Sequence, residues 1–476
     1  MHERSSVAEL ADILRRELDR YSVGEKLPSS RALTERHQVS PVTVSRAIAA
    51  LVTEGLVVSR PGAGVFRAEP RGAAPAPRDV SWQEVALSAE AGRVPARSTD
   101  ASGVLGALAV PPPDIVDLNS GYLHPSLQPE RALAAALARA GRRPGAWGRP
   151  PVEGLTELRA WFARDIGGDL GASDVLVTAG GQSALTTAMR SLVAPGAPIL
   201  VESPTYPGTL AVARAAGLRP VPVPVDGEGV RTDLLADAFA ATHARAFVCQ
   251  PLFQNPTGAV LSATRRREVL RIARAAGAFV IEDDFARRLV HADAPALAPP
   301  LAAEDPDGVV VHVRSLTKAA SASLRVGAVT AHGPALERMR AVQAVDSFFV
   351  PRPLQETALE LVGSPAWARH LRELATALEE RRRAAVGALR RTLPELLGPQ
   401  VPYGGYHLWL RLPDGTDDGA LAAAALRAGV AVTAGRPYFA AEAPAPHLRL
   451  SYACTRSPAQ VIDGVERLHR AYEGER

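Results

Sequence analysis

The chain has 476 residues, too many for one hydrophobic core, so two or three domains are expected. Hydrophobic residues make up 47% and charged residues 22%; no apolar run could span a bilayer and the first residues hold no apolar signal core, so a cytoplasmic protein is expected. Cys249 and Cys454 stand too far apart in sequence for a disulfide framework or a metal motif, and a net charge of +4 permits nucleic-acid binding without arguing for it.

Residues 1–68 read as three helices and a hairpin. Val7, Leu10, Ala11, Leu14 and Leu18 recur at helical spacing and give the first helix one apolar face. Pro28-Ser29-Ser30 opens a short second helix with a serine available as cap. Ser40 precedes a third, Pro41–Leu51, with Val44, Ile48 and Leu51 facing inward. Val57-Val58-Ser59 and Val65-Phe66 are short strands joined through Pro61-Gly62-Ala63-Gly64. Two helices joined by a tight turn let the second lie in a major groove. The third helix is then the reader, with Ser40, Thr43, Ser45 and Arg46 suited to phosphates or base edges, and the glycine turn is a wing beside Arg60. Taken alone, this pattern also fits a small helical domain that binds protein.

The order of residues says more. Leu27-Pro28-Ser29-Ser30-Arg31-Ala32-Leu33, then Val39-Ser40-Pro41-Val42-Thr43-Val44-Ser45-Arg46-Ala47, then Glu54-Gly55-Leu56 through Val65-Phe66 resembles the GntR family of bacterial winged-helix regulators. The resemblance implies that Arg31, Thr43, Arg46 and the wing glycines Gly62 and Gly64 contact double-stranded operator DNA. Pro41 stands where many members carry an arginine, which removes one phosphate or base contact.

Residues 69–112 are rich in proline and alanine and read as a linker, with one docking segment at Trp82, Val85 and Leu87. From 113 onward apolar runs alternate with amphipathic helices: Val175–Val177, Ile199–Val201, Ala246–Val248, Phe279–Ile281 and Val309–Val311. That alternation means an α/β domain with a mostly parallel sheet covered on both faces. Beyond about 345 a long Arg-rich helix, the strand-like Gly405–Leu412 and a closing strand and helix form a smaller α+β subdomain, about 345–476.

The ends of those runs carry the chemistry. Gly180-Gly181-Gln182-Ser183 opens a helix after a strand, and free amides at a helix start bind phosphate, although glycine turns there are common. Tyr206 follows the next strand, and Asn255 lies in the turn Asn255-Pro256-Thr257-Gly258. Glu282-Asp283-Asp284 closes another strand. Ser315-Leu316-Thr317-Lys318 follows a further one, with Arg325 beyond. Arg449 is a lone cation on an apolar strand, costly to bury unless an anion meets it. Of the 54 basic residues only Lys26 and Lys318 are lysines, and only lysine among the two cations can give up its proton to form a Schiff base. Lys26 reads as a surface lysine.

Together these residues offer what pyridoxal phosphate (PLP) needs: an amine for its aldehyde, a carboxylate for its pyridine nitrogen, a phosphate cradle, a stacking ring and a donor to the phenolic oxygen. Their order resembles the fold-type I aminotransferases over about 114–476. The resemblance gives Lys318 the Schiff base, Asp283 the pyridine nitrogen and Asn255 the phenolic oxygen. It gives Tyr206 the stacking, Gly181, Gln182, Ser315 and Arg325 the phosphate, Arg449 the carboxylate of a substrate or effector, and Gly121 the substrate side. Two positions depart from that pattern. Phe285 replaces the usual tyrosine and loses a hydroxyl donor, and Trp147 replaces a tyrosine that reaches the neighbouring subunit's phosphate. Head, linker and body together resemble the MocR subfamily, typically homodimers. That implies a regulator sensing PLP or an amino compound, with efficient transamination less expected. A working aminotransferase with an accessory head, or a DNA-binding protein with the rear fold as a dimerisation scaffold, are the alternatives.

Overall fold

The computed structural model describes residues 2–60, 62–68 and 97–475. The chain divides into two compact units, Met1–Gly92 and Arg93–Arg476. Most of the expected linker, with Trp82, Val85 and Leu87, lies outside the described residues, as does Pro61 of the wing. Residues 102–108, expected to be linker, instead form a helix whose entry is held by Asp100 accepting from the Ser102 amide at 2.9 Å.

In the first unit α1 (His2–Glu17), α2 (Ser30–His37) and α3 (Pro41–Thr53) pack around Leu10, Leu14, Leu18, Leu33, Val44, Ile48 and Leu51. Ser29 Oγ caps α2 by accepting from the Ala32 amide, and Ser40 Oγ caps α3 by accepting from the Thr43 amide. The antiparallel strands β1 (Val57–Arg60) and β2 (Gly64–Arg67) complete the unit.

The second unit is built on an eight-stranded sheet of order β4-β11-β10-β9-β8-β5-β6-β7. Its strands are β4 (Val175–Thr178), β5 (Pro198–Ser203), β6 (Arg219–Asp226), β7 (Gly229–Val230), β8 (Ala246–Cys249), β9 (Phe279–Asp283), β10 (Val310–Ser315) and β11 (Gly327–Thr330). The five central strands from β10 to β6 run parallel, and β11 and β7 are antiparallel to their neighbours. One apolar cluster holds Leu176, Leu185, Met189 and Val201 and another Leu200, Phe247, Val269 and Val280, so the central strands are buried on both faces.

The smaller sheet has order β12-β15-β14, from β12 (His407–Arg411), β14 (Thr433–Ala434) and β15 (His447–Ser451). It does not begin near 345 alone. β3 (Val116–Asp117) pairs in parallel with β13 (Val430–Ala431), and Leu118 accepts from the Ser451 amide at 2.7 Å, so the first strand of the body is stitched into the last quarter of the chain. No helix among the described residues is long and apolar enough to cross a membrane.

Candidate functional site

The ends of five strands meet at one cavity. Its wall includes Gly181 and Gln182 after β4, Tyr206 after β5, Gln250 and Asn255 after β8, Asp283 on β9, Ser315 at the end of β10 and Lys318 after it. Arg325 and Phe285 line it as well. Ligands settle at such ends because loops diverge there and helix N-termini point inward.

One end of the cavity, near Gly181, is built on backbone. Gly180 has φ +87, and a β-carbon there would stand 3.0 Å from the Arg325 guanidinium. A side chain at 180 is therefore opposed by both conformation and space. Arg325 donates to the Ala179 carbonyl at 2.5 Å, which fixes a cation beside the amides that open Gly181–Leu192. Ser315 Oγ accepts from the Thr317 amide at 3.1 Å, while Thr317 Oγ1 is buried without a hydrogen-bond partner among the described residues. Gly208 stays side-chain-free because a β-carbon would fall 2.2 Å from the Tyr206 ring.

Three consecutive carboxylates end β9, and their partners separate them. Glu282 accepts from the Leu301 and Ala302 amides at 2.8 and 3.1 Å and contacts His312 Nδ1 at 2.8 Å. Asp284 is met by Arg287 Nε at 2.5 Å and Arg314 at 3.0 Å. Glu282, Asp284 and His312 offer ligand atoms within 4.8 Å of one another, but these amides and guanidinium groups already occupy them. Asp283 alone lines the cavity, where Gln250 Nε2 donates to it at 2.7 Å. Burial raises its carboxyl to about 6, opposed by the Gln250 hydrogen bond.

Lys318 Nζ donates to the Gly121 carbonyl at 2.8 Å and lies 4.1 Å from the centre of the Tyr122 ring. Burial, reinforced by Arg449, lowers its amine to about 7. A near-neutral amine is the form that attacks an aldehyde. Arg449 is 2% exposed. It donates to the Asn119 carbonyl at 2.5 Å, Asn255 Oδ1 at 3.4 Å and Thr433 Oγ1 at 3.5 Å, all neutral, and its Nε has no partner among the described residues. A guanidinium so placed has room for an anion.

The eight expected cofactor residues line this one cavity; Gly121 and Arg449 are not on its wall but touch it through Lys318 and Asn255 respectively. Sequence reasoning did not nominate Tyr122, Gln250, Thr317 or Tyr406, which line it too. Gln250 directly follows β8 and Tyr122 directly follows Gly121, signals that were available. Trp147 is 84% exposed on this chain.

On the head, Arg31, Ser45 and Arg46 are exposed, and Val42 shares the open face of α3. Arg31 makes an exposed contact with Glu35 at 3.2 Å. Thr43 departs from the expectation of a group open to DNA. It is buried, and its hydroxyl lies 2.8 Å from Ser40 Oγ, because the cap draws it back over the helix start. Ser40 remains exposed but its oxygen is engaged in that cap. Gly62 and Gly64 have φ +75 and +117, Arg60 lies over the Phe66 ring at 4.8 Å, and the Lys26 side chain packs where a β-carbon on Gly64 would be.

Residues 113–468 match the aminotransferase class I and II family, and residues 7–66 match the gntR family of bacterial regulatory proteins. The chain is 32% identical to a 2-aminoadipate transaminase of Thermus thermophilus, over 83% of this chain and 98% of that protein. It is 29% identical to the HTH-type transcriptional regulator TauR of Rhodobacter capsulatus, over 95% of this chain and 93% of that one. The crystal structure of LysN, an α-aminoadipate aminotransferase from T. thermophilus complexed with N-(5'-phosphopyridoxyl)-L-leucine, matches with a TM-score of 0.75 and 30% identity, covering 83% of this chain and 99% of that one. Orphaned donors, a glycine cradle and a lone carboxylate opposite a neutral-leaning amine fit PLP, the cofactor of this fold. The chain belongs to the aminotransferase class I and II family and carries a gntR-type head, the arrangement of the MocR subfamily.

Proposed function

We propose that this protein is a PLP-dependent transcription regulator in which the aminotransferase-like body senses PLP or an amino compound and the head binds operator DNA. The observation that carries the reading is a cavity fitted for PLP, with Lys318 and Asp283 on its wall, in a chain whose other unit presents a capped helix with Ser45 and Arg46 outward.

Bound PLP supplies an aldehyde carbon that accepts an amine and a pyridine ring that draws electrons from it. Asp283, steadied by Gln250, holds negative charge at the pyridine side. Gly181, Gln182, Ser315 and Arg325 receive the phosphate, Tyr206 supplies the stacking ring, and Asn255 offers its amide. Lys318, its amine lowered to about 7, presents a substantial neutral fraction at neutral pH. Arg449, with only neutral partners, takes the carboxylate of an amino-acid effector, and Gly121 leaves that side open. Such an effector switches the head only if it binds two states with different affinity.

The body acts as a homodimer; the exposed Trp147, Val345 and Phe348 are large apolar surfaces that support this. Phe285 in place of a phenol supports sensing over turnover.

The test is binding of the full chain to DNA upstream of its own gene, with and without PLP, for wild type and Lys318→Ala. The expected result is paired half-site binding that weakens steeply with salt and responds to PLP only when Lys318 is present. Steady amino-group transfer to a keto acid with no PLP-dependent change in DNA binding would instead favour the enzyme reading.

A further inference from the structure

Tyr406 follows Gly404-Gly405 and immediately precedes β12, so the approach to the smaller sheet delivers its ring to the cavity. It is 2% exposed. The ring stands edge-on to Phe285 at 6.2 Å and to His407 at 5.2 Å. A β-carbon placed on Gly121 would fall 2.9 Å from the Tyr406 hydroxyl oxygen and 3.4 Å from Lys318 Nζ, so the two groups converge on one small space. Lys318 Nζ lies 4.1 Å from the centre of the Tyr122 ring and 5.8 Å from that of the Tyr406 ring.

We propose that Tyr406 supplies, beside the Lys318 nitrogen, the hydroxyl donor that Phe285 lacks, as a positioning residue that sets the pH at which that nitrogen protonates. The inference rests on the reading of this cavity as a PLP site. Burial pushes the Tyr406 phenol upward, so it stays protonated and can donate. The charged groups facing the pair are Arg449, Arg325 and Asp283, and the titratable ones Tyr122, Tyr206, Tyr438 and His407. The Tyr406 hydroxyl shares the small space beside Gly121 with Lys318 Nζ, which is why this phenol is assigned the role. A donor there stabilises negative charge on the oxygen beside the nitrogen and so competes with a proton shared between them. Loss of the donor moves protonation to higher pH.

The experiment titrates the Lys318-dependent visible band of the PLP-loaded full chain. Tyr406→Phe should raise the midpoint by about one pH unit, the scale of one hydrogen bond to a charged group. Tyr406→Met, which also lacks the hydroxyl, should give the same shift, which guards against misfolding of one variant. Adding Phe285→Tyr to Tyr406→Phe should bring the midpoint back, and Tyr122→Phe should leave it in place. A band whose midpoint ignores both changes at 406 overturns this inference alone. A wild-type protein with no Lys318-dependent band overturns the cofactor reading, and this one with it.

Discussion

The amine of Lys318 should titrate near neutrality in the cofactor-free protein, and this can be measured directly. Its pKa falls from 10.5 to about 7, with burial the largest cause, Arg449 next and Asp283 opposing. At about 1.4 kcal/mol per unit, that drop is a penalty of roughly 5 kcal/mol on the charged form. The unfolded chain binds the extra proton between these two pH values, so stability declines as pH falls from about 10.5 toward 7 and the full penalty applies below. Trace acetylation read by mass spectrometry suits this chain, because Lys26 is the only other side-chain amine and serves as internal control. The Lys318 rate should reach half its plateau near pH 7. Arg449→Met should move the midpoint up, and Asp283→Asn should move it down. A midpoint above about 9.5 in the wild type would refute the argument that this cavity desolvates the amine.

Gln250→Leu removes the donor to Asp283 and the acceptor of the Asn255 amide at 3.0 Å. The Asp283 carboxyl should rise further, and PLP affinity, followed by absorbance, should fall about tenfold or more; a change under twofold would deny Gln250 a positioning role. Arg46→Ala should weaken operator binding at all salt concentrations and lower the salt slope by about one, as loss of a single phosphate contact does. Ser40→Ala should leave that slope alone but lower the stability of the head by about 1 kcal/mol, because it removes the cap of α3; calorimetry of the full chain separates the two.

The central strands were legible because parallel strands buried on both faces read as unbroken apolar runs, and their ends carry Gly180, Asn255, Asp283 and Lys318 in a set order. β6 was not. Prolines at 220, 222 and 224 argue against a strand, yet it pairs with β5 from 219 to 224, and alternate prolines leave their missing N–H groups on one edge. The pairing of β3 with β13 was also hidden, since two residues show no periodicity and their partners lie over 300 positions away. Tyr406 was invisible for the same reason. Its place depends on the Gly405 amide donating to the Leu289 carbonyl at 3.0 Å, a contact between two halves of the body. Composition alone leaves three candidate carboxylates at β9; the family resemblance picks out Asp283, and the partners of Glu282 and Asp284 show physically why those two are engaged elsewhere.

That hidden pairing bears on sensing. Residues 118–121 form a strap whose successive carbonyls each accept one bond from the site side. Leu118 accepts from the Ser451 amide at 2.7 Å, Asn119 from Arg449 at 2.5 Å, Ser120 from Ser451 Oγ at 2.7 Å and Gly121 from Lys318 at 2.8 Å. Two of the four donors are the groups that an amine-accepting cofactor and a carboxylate would claim. On the proposed reading, the strap should loosen when Lys318 and Arg449 turn to other partners. Backbone amide exchange across 118–122 should be slow in the cofactor-free protein and faster once PLP and an amino-acid effector are both present. Arg449→Met should abolish the effector's share of that change. If exchange there is the same in all three states, the strap is only a structural seam, and a signal from this cavity must leave by another route.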